Sequence, residues 1–169
     1  SLFHVGGKPF FSIGGQLNNS TSSDPALTEK AFKTCVGLGL NTVAAPVHWE
    51  LFEKEEGAYD FAQIDMLMEL ARRSGLRLVV LWFGTWKNGN SHYVPEWVKL
   101  QKERFLWAKA NDGAEIRALS PTCEETKKAD MRAFCELCGH IARNNADGCV
   151  IGIQIENEPG LIGAARDYS

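Results

Sequence analysis

Four short segments of the sequence are apolar at nearly every position, and they constrain the fold more than any other feature. They span residues 9–16, 41–47, 76–83 and 149–155, and segments with helical periodicity lie between them. A strand that is apolar on both faces is buried on both faces, which is typical of a parallel sheet covered by helices. The order of these segments therefore predicts an α/β protein.

The helical segments carry start and stop signals of their own. Asp24 followed by Pro25 is typical of an N-cap and a first-turn proline. Asp60 with Gln63 indicates a start that resembles a capping box. Gly75 lies where a helix usually ends in a left-handed C-cap. We therefore expect one helix to begin near residue 25 and another to run from about residue 61 to Gly75.

Four strand–helix units correspond either to half of a (β/α)₈ barrel or to most of a doubly wound sheet. No predicted strand is followed by Gly-x-Gly-x-x-Gly, the turn that cradles a pyrophosphate in doubly wound folds. The barrel is therefore favoured. Residues 1–169 are interpreted as the N-terminal half of a (β/α)₈ domain, with the rest of the barrel outside this chain.

Composition excludes several classes of function. Apolar residues make up 44% of the chain, charged residues 23%, and the formal net charge is −3. A nucleic-acid-binding domain normally shows a basic face, so no nucleic acid is expected as a partner. No apolar run approaches the ~20 residues that span a bilayer, so no membrane is expected either. The chain begins Ser-Leu-Phe-His, without an initiating Met or a signal segment, and we expect sequence to precede it.

The five cysteines do not indicate a disulfide framework, because their number is odd. Cys135 and Cys138 form a Cys-x-x-Cys pair, which leaves a metal or redox protein as an alternative. No second Cys or His pair completes a zinc set, so no metal or cofactor is expected. The two thiols are interpreted as small buried groups on one apolar helix face. The other residues of that predicted face are Met131, Phe134, Ile141 and Ala142.

Polar and aromatic side chains follow every predicted strand. Chemistry in a (β/α)₈ barrel lies at the carboxyl ends of the strands. Indole faces stack on sugar rings, and amides and carboxylates bind sugar hydroxyls, so these strand ends predict a carbohydrate cleft. The long segment at residues 86–121 adds to it, since loops of this length are usually functional. The candidates are Gln16, Asn18, Asn19, His48, Trp49, Glu50, Trp82, Trp86, Lys87, Asn88, Glu156, Asn157 and Glu158.

Most of these residues also have a purely structural interpretation. Tryptophans at strand ends often cap a barrel core, and Glu53, Glu55 and Glu56 are typical of solvated loop charges. Glu158 is different, because a carboxylate that follows a buried strand is costly to desolvate. A general acid would explain it, since desolvation raises the pKa of a carboxyl group toward neutrality.

Three stretches of the sequence resemble glycoside hydrolase family 35, the β-galactosidase-like enzymes. Residues 153–160 (IQIENEPG) are similar to the fourth-strand motif of that family. Residues 46–53 (PVHWELFE) and 57–61 (GAYDF) resemble the second-strand segment that it shares with family 42. Residues 82–89 (WFGTWKNG) and 93–98 (YVPEWV) are similar to a bacterial subgroup of β-galactosidase-like proteins. The resemblance covers essentially the whole chain.

The resemblance implies a retaining hydrolase of β-galactosides, with a carbohydrate as the partner. Glu158 would be the catalytic acid/base, and Asn157 would hold the sugar 2-hydroxyl in the transition state. The nucleophile would be a second Glu at the end of a seventh strand, outside this chain. The remaining candidates for substrate binding are Gln16, Asn18, Trp49, Glu50, Trp82, Trp86, Lys87 and Asn88.

Other interpretations remain open. The acidic sugar-binding motif usual after the third strand is replaced by residues 82–88, so a β-glycosidase of another sugar specificity is one alternative. A non-catalytic carbohydrate-binding fragment is another. Four strands leave two sheet edges unpaired and one face half covered. We therefore expect the 169-residue chain to be inactive by itself and to self-associate, bind its missing half or be partly ordered.

Overall fold

The computed structural model describes residues 2–169, which fold as two compact units. The sheet unit combines residues 2–47 with Phe61–Leu81 and Gly139–Gln154. The loop unit combines His48–Asp60, Trp82–Cys138 and Ile155–Ser169. The chain passes repeatedly between the two units.

A four-stranded parallel sheet forms the centre of the sheet unit. Its strands are β3 (Gly14–Gln16), β4 (Thr42–His48), β5 (Arg77–Phe83) and β8 (Val150–Gln154). They lie side by side in that order, which is also their order along the chain. Gly14 of β3 aligns with Thr42 of β4, and Leu78 of β5 aligns with Val150 of β8, both in parallel register. Strands with helices between them in this order form a partial (β/α) barrel.

The two central strands are buried along most of their length, as their apolar sequences predict. Six of the seven residues of β4 and five of the seven of β5 are buried. The second and third predicted strands are thus confirmed to within a residue or two. The chain continues from the ends of β4 and β5 directly into the loop unit.

The first predicted strand is wrong over most of its length. Strands β1 (His4–Val5) and β2 (Lys8–Pro9) form an antiparallel hairpin instead. Gly6 and Gly7 join them with φ of 57° and 75°, the left-handed pair that a two-residue hairpin turn requires. Phe11 is 81% exposed. The apolar residues before Gly14 therefore do not enter the sheet.

Helices α1 and α3 lie on the chain between these strands. Helix α1 (Pro25–Gly37) begins as predicted, and the Asp24 carboxylate accepts a hydrogen bond from a backbone N–H in its first turn, at 3.0 Å. Helix α3 (Ala62–Ser74) ends at Gly75, which has the expected φ of 67°. The residue before α3 is Phe61, one position after the predicted cap Asp60, and the Gln63 amide donates to the backbone carbonyl of residue 22 at 3.0 Å.

Helix α5 (Glu124–Asn144) corrects the interpretation of the Cys-x-x-Cys pair. Cys135 is exposed, Cys138 is half-buried, and Met131 is 55% exposed. The predicted face is therefore only partly buried, since Ile141 is buried and Phe134 is half-buried. The buried face is centred about one residue step away, 100° around the helix. The residues that α5 buries are Thr126, Ala129, Asp130, Ala133, Leu137 and Ile141.

The loop unit contains regular structure that the sequence did not reveal. Short helices α2 (Trp49–Phe52) and α4 (Glu96–Leu100) follow β4 and β5 along the chain. Strands β6 (Trp107–Lys109) and β7 (Glu115–Leu119) form an antiparallel hairpin before α5. The segment interpreted as one long insertion is therefore a helix followed by a hairpin. No helix within residues 2–169 combines the length and apolarity needed to cross a membrane.

Candidate functional site

Backbone hydrogen bonds join the segment after β5 to the segment after β8, within the loop unit. Asn88 N donates to the Asn157 carbonyl at 3.1 Å, and Gly89 N donates to the Glu158 carbonyl at 2.9 Å. Asn157 N in turn donates to the carbonyl of Trp86 at 3.3 Å. These bonds place Asn157 and Glu158 beside residues 86–89. The structure thus brings together two of the segments that the sequence predicted at strand ends.

Three residues of this junction have left-handed backbone conformations. Asn88, Glu156 and Glu158 have φ of 54°, 60° and 52°, and they are the only non-glycine residues within residues 2–169 with positive φ. Such a conformation costs a residue with a Cβ about 1–2 kcal/mol. It persists only where surrounding contacts over-determine it, and such positions cluster at functional sites.

Lys87 is the most buried charged residue of the junction, with 8% of its surface exposed. Its ammonium donates a hydrogen bond to Oδ1 of Asn157 at 2.6 Å and another to Oδ1 of Asn88. It also lies 5.1 Å from the centroid of the Phe83 ring. The Asn157 amide oxygen is therefore engaged by the protein, and its NH₂ group is the part of the amide that faces other partners.

The carboxyl group buried at this strand end belongs to Glu156 and not to Glu158. Glu158 is exposed in the described chain, which corrects the argument that its burial requires explanation. Glu156 accepts hydrogen bonds from Thr85 N at 3.0 Å and from Trp86 N at 2.7 Å. Its carboxyl group therefore holds the start of the segment after β5.

Asp130 of α5 meets Glu156 at the same point. Its carboxylate accepts from the indole N–H of Trp82 at 2.8 Å and from the hydroxyl of Thr85 at 2.5 Å. A Cβ added at Gly84 would overlap both carboxyl groups, so only glycine leaves room for them. Burial, followed by the hydrogen bond and charge of Asp130, raises the pKa of Glu156 far above its ordinary range. Glu156 is therefore protonated at neutral pH and can donate a hydrogen bond to Asp130.

The structure corrects the expectation that Trp49 and Trp82 contact substrate. Both indoles are fully buried. Trp49 donates its N–H to Glu53 at 2.7 Å, and Trp82 donates its N–H to Asp130. Neither ring leaves a face for a sugar, because both faces are covered by protein. These two tryptophans are core residues.

Trp86 is half-buried and packs on the β6–β7 hairpin. The residues under it are Ala108, Ile116 and Ala118. Its indole nitrogen is buried and has no hydrogen-bond partner within residues 2–169. At least part of the ring therefore serves packing within the loop unit.

Glu53 was expected to be a solvated loop charge, and that expectation is wrong. It is buried, and it accepts hydrogen bonds from Trp49 and from the backbone N–H of Gly57, each at 2.7 Å. Burial raises the pKa of its carboxyl group. Glu56, by contrast, is half-exposed and lies 2.7 Å from the guanidinium of Arg104.

The remaining candidate residues differ in how far they are buried and in which unit they lie. Glu50 is half-buried and pairs with Lys99 at 3.3 Å. His48 is buried and stacks on Tyr93, with ring centroids 4.7 Å apart. Gln16 and Asn18 are exposed in the sheet unit. No group of three or more His, Cys, Asp or Glu residues in the described chain is arranged to hold a metal ion.

Residues 2–169 match the family described as glycosyl hydrolases family 35. The chain belongs to glycosyl hydrolase family 35. The match spans every strand and helix described above. It confirms the family that the three sequence motifs indicated.

Two curated relatives of this family 35 chain are longer proteins. A β-galactosidase from Xanthomonas manihotis is 24% identical over 157 residues, which are 91% of this chain and 24% of that protein. An exo-β-D-glucosaminidase from Pyrococcus horikoshii is 28% identical over 140 residues, 72% of this chain and 17% of that protein. The chain thus spans a quarter or less of these relatives.

Solved structures with a similar fold include two named as carbohydrate-active proteins. An exo-β-1,4-mannosidase from Opitutaceae bacterium strain TAV5 superimposes with a TM-score of 0.66 at 18% identity, over 92% of this chain and 26% of that one. The catalytic domain of a β-amylase from Paenibacillus polymyxa superimposes with a TM-score of 0.61 at 21% identity, over 83% and 35%. At these identities the likeness concerns the fold, a partial (β/α) barrel.

Glu156→Gln should make the stability of this family 35 protein less dependent on pH. The folded protein keeps a proton on Glu156 that the unfolded chain releases above its ordinary pKa of 4.5. Stability therefore falls as pH rises from there toward the raised pKa, by at most about 1.4 kcal/mol per pH unit. A glutamine cannot ionise, so melting temperatures between about pH 5 and pH 9 should fall less steeply in the variant. Glu103→Gln, at an exposed position, is the control, and equal slopes in variant and wild type would contradict the prediction.

Proposed function

We propose that the full-length enzyme, the natural protein that contains this chain, is a retaining glycoside hydrolase. In this proposal Glu158 is the catalytic acid/base, and Asn157 binds the sugar 2-hydroxyl. The observation that supports it best is the junction at which Asn157 and Glu158 are held by backbone hydrogen bonds to Asn88 and Gly89. Membership of a glycosyl hydrolase family supports the same reaction class.

The chemistry assigned to Glu158 has two stages. As a carboxylic acid it protonates the leaving glycosidic oxygen while a second carboxylate attacks the anomeric carbon. As a carboxylate it then accepts a proton from the water that hydrolyses the covalent intermediate. In both stages Asn157 donates to the 2-hydroxyl, a hydrogen bond that strengthens as positive charge develops on the sugar ring.

The nucleophile in this proposal lies outside the 169 residues. In retaining enzymes the two carboxyl groups are about 5–5.5 Å apart, on opposite sides of the scissile bond. Glu156 does not meet this requirement. Its carboxyl group binds the backbone N–H groups of Thr85 and Trp86 and pairs with Asp130. It is therefore occupied by the protein and not aimed at substrate.

The proposed substrate is a β-galactoside, and the proposed sugar ligands are the polar candidates that remain accessible. Similarity to a β-galactosidase over 91% of the chain supports galactose. Glucosaminide and mannoside are alternatives, since proteins with those names share the sequence or the fold. Trp49 and Trp82 are excluded by their burial, and Lys87 is itself buried. The proposed ligands besides Asn157 are therefore Gln16, Asn18, Glu50, Trp86 and Asn88.

Initial rates on matched aryl β-glycosides test this proposal. The full-length enzyme should hydrolyse the aryl β-galactoside with the highest kcat/KM, and the first-formed sugar should have the β-configuration, because a double displacement retains stereochemistry. Faster hydrolysis of the β-glucosaminide or β-mannoside would replace the substrate but keep the mechanism. An inverted product, or binding of these sugars without any hydrolysis, would contradict the proposed mechanism.

A further inference from the structure

The buried ammonium of Lys87 has an unusual set of partners. Within residues 2–169 these are the amide oxygens of Asn88 and Asn157 and the ring of Phe83, and none of them is a carboxylate. Burying a cation is costly unless its hydrogen bonds and charge are compensated. Within residues 2–169 the two amide oxygens and the aromatic ring provide that compensation.

The contact with Asn157 has a direct geometric consequence. An asparagine amide has one face that accepts and one that donates, and a rotation of 180° exchanges them. Lys87 has no acceptor group, so only Oδ1 of Asn157 can face it, and the distance is 2.6 Å. The NH₂ group then points the other way. A hydrogen bond from a cation is also stronger than one between neutral groups, so it holds the amide firmly in this orientation.

The backbone supports the same arrangement. Lys87 and Asn157 form an isolated parallel bridge, with hydrogen bonds on either side of it. Asn157 lies between Glu156 and Glu158, both in the left-handed conformation. The backbone therefore fixes where the Asn157 side chain begins, and the Lys87 ammonium fixes which way its amide faces.

We propose that Lys87 is a positioning residue that locks the Asn157 amide so that its NH₂ group is presented to the sugar 2-hydroxyl. Lys87 acts through Asn157 and does not bind the sugar itself, which replaces the expectation that it contacts substrate. The inference rests on the proposed function, in which Asn157 binds the 2-hydroxyl. It adds that the contribution of Lys87 to catalysis depends on the presence of that hydroxyl.

The test compares two substrates in the full-length enzyme, an aryl β-galactoside and its 2-deoxy analogue. Lys87→Met keeps the length of the side chain and removes the donors. It should lower kcat/KM for the galactoside by about 10–100-fold, the loss expected when a catalytic contact is misplaced. On the 2-deoxy substrate the loss should be less than about threefold, because the hydroxyl that Asn157 binds is missing. Lys87→Arg, which keeps a charged donor, should recover part of the activity.

A double variant and a matched lysine complete the design. Lys87→Met added to Asn157→Ala should cause no further loss on the galactoside, because the two residues act as a unit. Lys102→Met removes a mostly exposed lysine of the same unit and should leave both rates unchanged. Melting temperatures of all variants show whether each is folded.

The outcomes separate this inference from the proposed function. Equal losses on both substrates, or losses that add in the double variant, would overturn the positioning role of Lys87. If in that case Asn157→Ala lowers kcat/KM for the galactoside but not for the 2-deoxy analogue, the proposed function stands without the positioning role of Lys87. A wild-type enzyme that hydrolyses no glycoside would overturn both.

Discussion

Glu158→Gln in the full-length enzyme is expected to lower kcat/KM by about 10²–10⁴-fold for galactosides whose leaving group is an alcohol, the usual contribution of a general acid. A glutamine of the same size cannot donate the proton that the departing oxygen needs. Aryl galactosides with acidic phenols need little protonation, so their first step should be affected far less. Steady-state rates on both substrate types, with burst-phase measurements for the aryl galactoside, distinguish the two steps.

Added azide should restore turnover of the Glu158→Gln variant on the activated substrate. Azide attacks the glycosyl-enzyme without help from a base, so it replaces the second role of Glu158. The matched control is Glu156→Gln two residues earlier, where azide should have no effect, because Glu156 binds backbone N–H groups. Equal losses on both substrate types and no response to azide would assign Glu158 a structural role.

The second large expected effect is the absence of glycoside hydrolysis in the isolated chain. The 169-residue chain by itself should hydrolyse no glycoside, because the proposed mechanism needs a second carboxylate that none of its strands can place opposite Glu158. A highly purified sample assayed with an activated aryl β-galactoside provides the measurement. Adding a separately expressed remainder of the full-length enzyme should restore activity if the two parts assemble. Activity in the chain without its remainder would contradict the missing-nucleophile argument.

The same sample should also self-associate or bind its missing half. Among the described strands, β3 and β8 lie at the two edges of the parallel sheet, so each has one side without a strand partner. Unpaired strand edges and exposed apolar side chains favour association, and Phe11 and Ile155 are among the exposed ones. Sedimentation velocity at several concentrations measures this, and a stable monomer at all of them would contradict it.

The sequence predicted the central strands and the family, because both depend on local patterns. Strands β4 and β5 are short and largely apolar on both faces, a pattern typical of strands buried in a parallel sheet. The motif around Asn157 is similarly local. The prediction of the first strand was wrong because Phe10, Phe11 and Ile13 are apolar without being buried. The Gly6-Gly7 pair is the feature of the sequence that indicates a hairpin turn there.

The parts of the site that could not be predicted depend on contacts far apart in sequence. Trp82 is a core residue because Asp130, 48 positions later, accepts its indole N–H. Glu156 is half-buried and Glu158 is exposed because two left-handed residues change the direction of the chain after β8. The alternation of side chains between the two faces of a strand does not predict such a change of direction. The roles of Glu158, Asn157 and the sugar ligands stay predictions.

The left-handed conformations of Asn88, Glu156 and Glu158 place stability and catalysis in opposition at single positions. Glycine would adopt each conformation without the Cβ penalty, at some entropic cost in the unfolded chain. A laboratory selection for heat resistance alone would therefore admit glycine at Glu158, whose side chain is exposed, and would remove the group proposed to catalyse the reaction. At Glu156, glycine would also remove the acceptor for the backbone N–H groups of Thr85 and Trp86. Stability engineering of this enzyme should accordingly hold these three codons fixed and search elsewhere in the chain.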